Sequence, residues 1–297
     1  MPPVSELLIG GVLPGVIALV LLGAPWVVFR ERSAGVLRWV APWAVGLAFI
    51  PASIVSNKHA NLWPVNASER GLAVVLASLG LVMLMGVLGT GRLGRWGRRV
   101  GFAMPVCAGA FGAYAVLVAL HPHAVSTGLL IGVAAGAGVW TASASMLLGW
   151  SERVSPGYGT PGMMAIALFG CSLVMLFSAI GVYAQTTGGL VAAVSSAAIV
   201  GLWRRRATLG AGAYAVALSV LAYLMIGTWQ LSARPAIGAL VLCAALPFVV
   251  AGCTWIARGG AGRRLVAWAG VVAMTSGAAG WAFALYSAAK DASPYGY

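Results

Sequence analysis

Apolar runs long enough to cross a bilayer recur along this sequence, and basic clusters fall in every second gap between them. A hydrocarbon core about 30 Å thick needs about 20 residues of helix. Only helices or closed barrels satisfy every backbone N–H and C=O group there. The runs read as helical spans over 7–29, 39–56, 100–120, 127–150, 162–185, 190–203, 209–231, 234–257 and 265–288. One more span begins at the end of the Asn57–Arg70 loop and reaches Thr90. The run at 190–203 is the shortest, set off by an uncharged Thr186-Thr187-Gly188-Gly189 turn.

Charge tests this partition. Odd-numbered connections hold Arg30, Arg32 and Arg38, then Arg92, Arg95, Arg98 and Arg99, then Arg153, then Arg204, Arg205 and Arg206, and last Arg258, Arg263 and Arg264. Those are fourteen of the eighteen basic residues; Lys58, Arg70, Arg234 and Lys290 are the rest. Basic loops stay cytoplasmic, and one miscounted span would scramble the alternation from that point on. The expectation is an all-α polytopic protein of about ten transmembrane helices, with both termini on the outer, non-cytoplasmic side. Residues 1–297 form a single transmembrane domain; halves of five helices, 1–150 and 151–297, show no visible repeat. The opening segment carries Glu6 as its only charge and lacks a basic n-region, so the first run reads as a retained span.

Composition agrees. Residues are 61% hydrophobic and 8% charged, where soluble domains carry about 25% charged residues. A net charge of +13 raises nucleic acid as a partner, but topology already explains where the arginines sit, so nucleic acid is excluded. Arginine far outnumbers lysine, and Ala, Gly and Val dominate, which points to a bacterial cytoplasmic (inner) membrane. Cys107, Cys171, Cys243 and Cys253 all lie in apolar runs without metal-site spacing.

The Asn57–Arg70 loop is the main polar interruption on the outer side. Its Asn66-Ala67-Ser68-Glu69 end resembles a capping box, placing the third helix start there. Lys58 and Arg70, with Trp63 at the interface, are candidates for contact with a partner or an anionic lipid headgroup; the bland alternative is a helix-capping connection. His59, His121 and His123 are the only histidines, and all fall on the predicted outer side. Imidazoles ligate Zn or Cu and titrate near neutrality, so with Glu69 they form a candidate metal or proton site. The bland alternative is interfacial histidines that finish a helix.

Gly128, Gly132 and Gly136 recur every four residues, a helix-packing face of the small-xxx-small kind. Packing inside the monomer is its expected use, and an oligomer or partner contact is the alternative. Trp26, Trp39, Trp150, Trp203, Trp229, Trp255 and Trp268 near span ends read as interfacial anchors. No acid is expected deep in the hydrocarbon, where proton and cation carriers place their coupling groups. Mid-span hydroxyls such as Ser143, Ser145, Ser195 and Ser196 have no His or Lys at that depth to activate them; bonding to helix backbone is expected instead. No cofactor is identified. The leading reading is therefore a non-catalytic accessory or assembly subunit whose outer loops contact a membrane-protein partner or a second copy. Transport of a neutral, lipidic or anionic solute is one alternative, and an outer-face enzyme or metal site another.

Overall fold

Among the described residues, ten α-helices fall where the ten spans are expected. The computed structural model describes residues 8–28, 33–57, 63–64, 66–90, 94–121, 124–155, 157–178, 180–204, 209–232 and 235–291. A π-helical turn at Leu8–Val12 leads into α1 (Leu13–Val28). The others are α2 (Ser33–Asn57), α3 (Gly71–Thr90), α4 (Gly94–Leu120), α5 (Thr127–Val154), α6 (Gly159–Phe177), α7 (Gly181–Arg204), α8 (Gly210–Leu231), α9 (Ile237–Ile256) and α10 (Ala261–Asp291). No strand occurs among the described residues. Nine helices among them are long and apolar enough to cross a membrane, and Gly71–Val87 of α3 is a shorter apolar helix. The α3 backbone continues to Thr90 over 20 residues, about 30 Å at 1.5 Å per residue. The chain is an all-α, multi-pass integral membrane protein.

Two local expectations change. The sixth and seventh spans do not meet at Thr186–Gly189; α6 ends at Phe177 and α7 begins at Gly181. Thr186 and Thr187 belong to α7 because each hydroxyl donates back to the helix, Thr187 to the Tyr183 carbonyl at 2.7 Å and Thr186 to that of Val182 at 3.0 Å. The adjacent Gly189 lies against α2, where a methyl group would come within 2.7 Å of the Ala52 Cβ. The real break is at Ser178, whose carbonyl accepts from the Ser232 hydroxyl at 2.6 Å. Helices α2, α4 and α10 also begin several residues before their predicted spans, so Arg38, Arg95, Arg98, Arg99, Arg263 and Arg264 lie within helices. Hydropathy marks the lipid-immersed part of a helix, whereas its hydrogen bonds continue into the interface.

Helix α8 is the centre of the bundle. Residues 213–224 are buried without a break, and α2, α3, α4 and α5 all pack on it. Buried all round, it has no polar face to offer solvent. Helix α1 packs on α2 and α7, while α10 packs on α6 and α9. Hydroxyls and one indole join the helices: Ser78 and Ser219 oxygens are 2.6 Å apart, Ser196 donates to the Gly15 carbonyl at 2.8 Å, and Trp140 Nε1 to that of Ala244 at 2.8 Å. Ser145 bonds its own helix at the Ala142 carbonyl.

Close approach is made by glycines other than the expected three. A methyl group at Gly138 would lie 2.5 Å from the Val106 carbonyl oxygen, and one at Gly112 would lie 2.6 Å from that of Ser219. Gly128, Gly132 and Gly136 are exposed, with nothing within 4 Å of an added methyl group. In lipid, helices associate through such close packing more than through the hydrophobic effect. Gly138→Ala is therefore expected to cost about 1–3 kcal/mol as overpacking, read as a lower melting temperature in detergent. Gly132→Ala should leave the melt of the isolated monomer unchanged.

Candidate functional site

The α2–α3 connection lies at the end of the bundle where α4 also finishes. Asn57 closes α2, donating its side-chain amide to the Ser53 hydroxyl and the Glu69 carbonyl, both at 3.4 Å. A 3-10 turn, Ala67–Glu69, precedes α3. The predicted capping box takes a different form: the Asn66 side chain caps no backbone amide and instead donates to Glu69 Oε1 at 3.1 Å. Backbone closure comes from the Glu69 N–H to the Asn66 carbonyl at 3.2 Å.

Arg70 holds this connection to the bundle. Only 6% of it is exposed. Its Nε donates to the Pro64 carbonyl at 3.0 Å and one terminal nitrogen to the Ala115 carbonyl of α4 at 2.9 Å. The guanidinium also lies 4.5 Å from the centroid of the Trp63 ring, within cation–π range. From α8, the Tyr223 hydroxyl donates to the Ala67 carbonyl at 3.0 Å. A planar donor fork suits this task because it reaches two carbonyls at once while staying charged. With its nitrogens engaged in this way, Arg70 is a clasp within the protein and is turned away from the surface.

Trp63, in contrast, is 47% exposed. It joins a row of rings on α4, with centroids 6.0 Å apart to Phe111 and 6.4 Å from there to Tyr114. His121 closes α4 beside α5, its Nε2 lying 3.1 Å from the Thr127 hydroxyl. The Ser126 side chain caps α5 by accepting from the Leu129 N–H at 3.3 Å. Lys58, His59 and His123 lie outside the described residues. Among the described residues no three His, Cys, Asp or Glu side chains gather as a metal-binding group. The described members of the candidate set, His121 and Glu69, face Thr127 and Asn66 respectively.

A second polar centre, which sequence reasoning missed, lies at the opposite end. Helix α5 continues past Trp150 to Val154, so Glu152 is in its last turn and fully buried. Its carboxylate accepts from the Leu209 N–H at 3.0 Å and the Gly210 N–H at 2.8 Å. Those amides open α8, where a helix leaves donors without intrahelical partners and carries partial positive charge. The available signal was an acid just beyond a span; its partners stand 57 and 58 residues later. Trp150, Trp203 and Trp255 are exposed at this end as interfacial anchors are, whereas Trp26 is buried at 5% exposure.

Fold and site together define a multi-pass α-helical membrane protein whose α2–α3 connection is clasped to the bundle. No protein family, curated protein or solved structure matches the chain.

Proposed function

We propose that this protein is a non-catalytic accessory or assembly subunit of a bacterial cytoplasmic membrane, whose outer-face loop docks a membrane-protein partner. The arginine-bearing connections lie on the cytoplasmic side in this reading, and both termini lie outside. The observation that carries it is the Arg70 clasp, which holds the loop still while Trp63 stays displayed. A rigid aromatic anchor loses little conformational freedom on binding, and exposed tryptophan is among the residues enriched where binding energy concentrates. Phe111 and Tyr114 on α4 extend that aromatic surface beside Trp63. The exposed glycines at 128, 132 and 136 on α5 add a face that a partner helix could approach closely.

Photo-crosslinking tests this. A photoreactive residue at position 63, activated in native membranes, is expected to give one discrete polypeptide adduct. The same probe at Ile199, an exposed position on α7, should give lipid adducts alone. Lipid adducts at both positions would remove the partner reading. In intact cells an impermeant thiol reagent should label Trp63→Cys but not Tyr158→Cys, and the reverse pattern would invert the topology.

A further inference from the structure

The turn between α9 and α10 borders an open, groove-like cavity of about 710 Å³ whose lining includes Trp255, Ile256, Arg258, Gly262, Arg263 and Val266. Two of these walls are cationic and three are apolar. Each arginine is steered by a neighbour: the Arg258 guanidinium lies 5.6 Å from the Trp150 ring centroid, and the Arg263 side chain lies against Gly259. Gly260 has φ 114°, a left-handed value that favours glycine, and it reverses the chain so that Arg258 and Arg263 line one space. Gly262 stands in the first turn of α10, whose positive end adds to the field. Among the described residues, the carboxylate at this end of the bundle is Glu152, which is buried on the amides of Leu209 and Gly210.

The apolar walls are open to the surroundings: Trp255 is 59% exposed, Ile256 44% and Val266 66%. Exposed Trp150, Trp203 and Trp255 mark this level as the headgroup region, where tryptophan concentrates. We propose that the cavity binds the phosphodiester headgroup of an anionic glycerophospholipid. Its phosphate lies between Arg258 and Arg263, and its acyl chains run along Trp255, Ile256 and Val266. Paired guanidinium groups match phosphate oxygens, and basic pockets at the membrane surface recognise such lipids. The apolar walls favour a lipid over free phosphate, and the cationic walls favour an anionic headgroup over a zwitterionic one.

The test uses full-length protein in nanodiscs of phosphatidylcholine containing phosphatidylglycerol, exchanged into detergent, with retained phospholipid counted by native mass spectrometry. Wild type should retain phosphatidylglycerol in preference to phosphatidylcholine, and millimolar inorganic phosphate should not displace it. An Arg258→Gln/Arg263→Gln double variant should hold it about 30-fold more weakly. Gly262→Leu, which puts an uncharged side chain on the cavity wall beside Arg263, should also weaken retention, whereas Arg153→Gln, an exposed charge outside the cavity, should not. Equal retention by the double variant, an equal loss in Arg153→Gln, or displacement by inorganic phosphate would each overturn the assignment.

Discussion

Arg70→Met is expected to give the largest loss of stability of any single substitution in the α2–α3 connection, about 4 kcal/mol. The substitution keeps an unbranched side chain but leaves the Pro64 and Ala115 carbonyls without their guanidinium donors. Hydrogen bonds to charged groups contribute about 1.5–3 kcal/mol each, and loss of the contact with the Trp63 ring adds to this. Arg70→Lys should fall between wild type and Met, because an ammonium keeps the charge but lacks the fork that reaches two carbonyls. Thermal melts in detergent, followed by the fraction remaining monodisperse on size-exclusion chromatography, measure the effect. Loss of the clasp should also change the emission of Trp63. A Met variant that melts with wild type would show that the loop is held by Tyr223 and Asn57 without Arg70.

The second large effect belongs to Glu152→Ala, at about 3 kcal/mol. Its carboxylate holds two amides, one buried and one half-buried, at the start of the helix on which α2–α5 converge. Removing it leaves the Leu209 and Gly210 donors unsatisfied and takes negative charge from a helix N-terminus. Glu152→Gln should be intermediate, since the amide offers one acceptor and turns a donor toward the other N–H. Hydrogen exchange adds a local readout: protection at the first turn of α8 should fall before that of the rest of the bundle. Equal protection in the Ala variant would mean that packing alone sets the α8 start.

Much of the fold was legible because lipid imposes a strict rule on sequence. Each span must be apolar and about 20 residues long, and that requirement is visible residue by residue. The misplaced α6–α7 break shows where legibility stops. Thr-Thr-Gly-Gly reads as a turn, but hydroxyls that bond back to their own helix and a glycine that admits α2 are equally good uses of the same letters. Only the neighbouring helix distinguishes them. The glycine faces teach the same lesson: Gly132 and Gly138 are alike in sequence, but one is bare and the other lies against the Val106 carbonyl.

Site residues were less legible. Arg70 carried the right signal, an isolated cation in the polar loop, but whether it faced outward or clasped the loop depended on Ala115, 45 residues away. Glu152 gave less, since the amides it caps follow a whole further pair of helices. From its letters alone, this chain determined its helical class, the rough positions of its apolar helices and the grouping of its arginines, because burial in lipid and charge transfer across it act on each segment separately. Tertiary structure decided which helix became the central pillar, which glycines met a neighbour and where the buried arginine and glutamate found their partners. Those outcomes depend on distances between segments remote in the chain, and such distances exist only once the helices have packed.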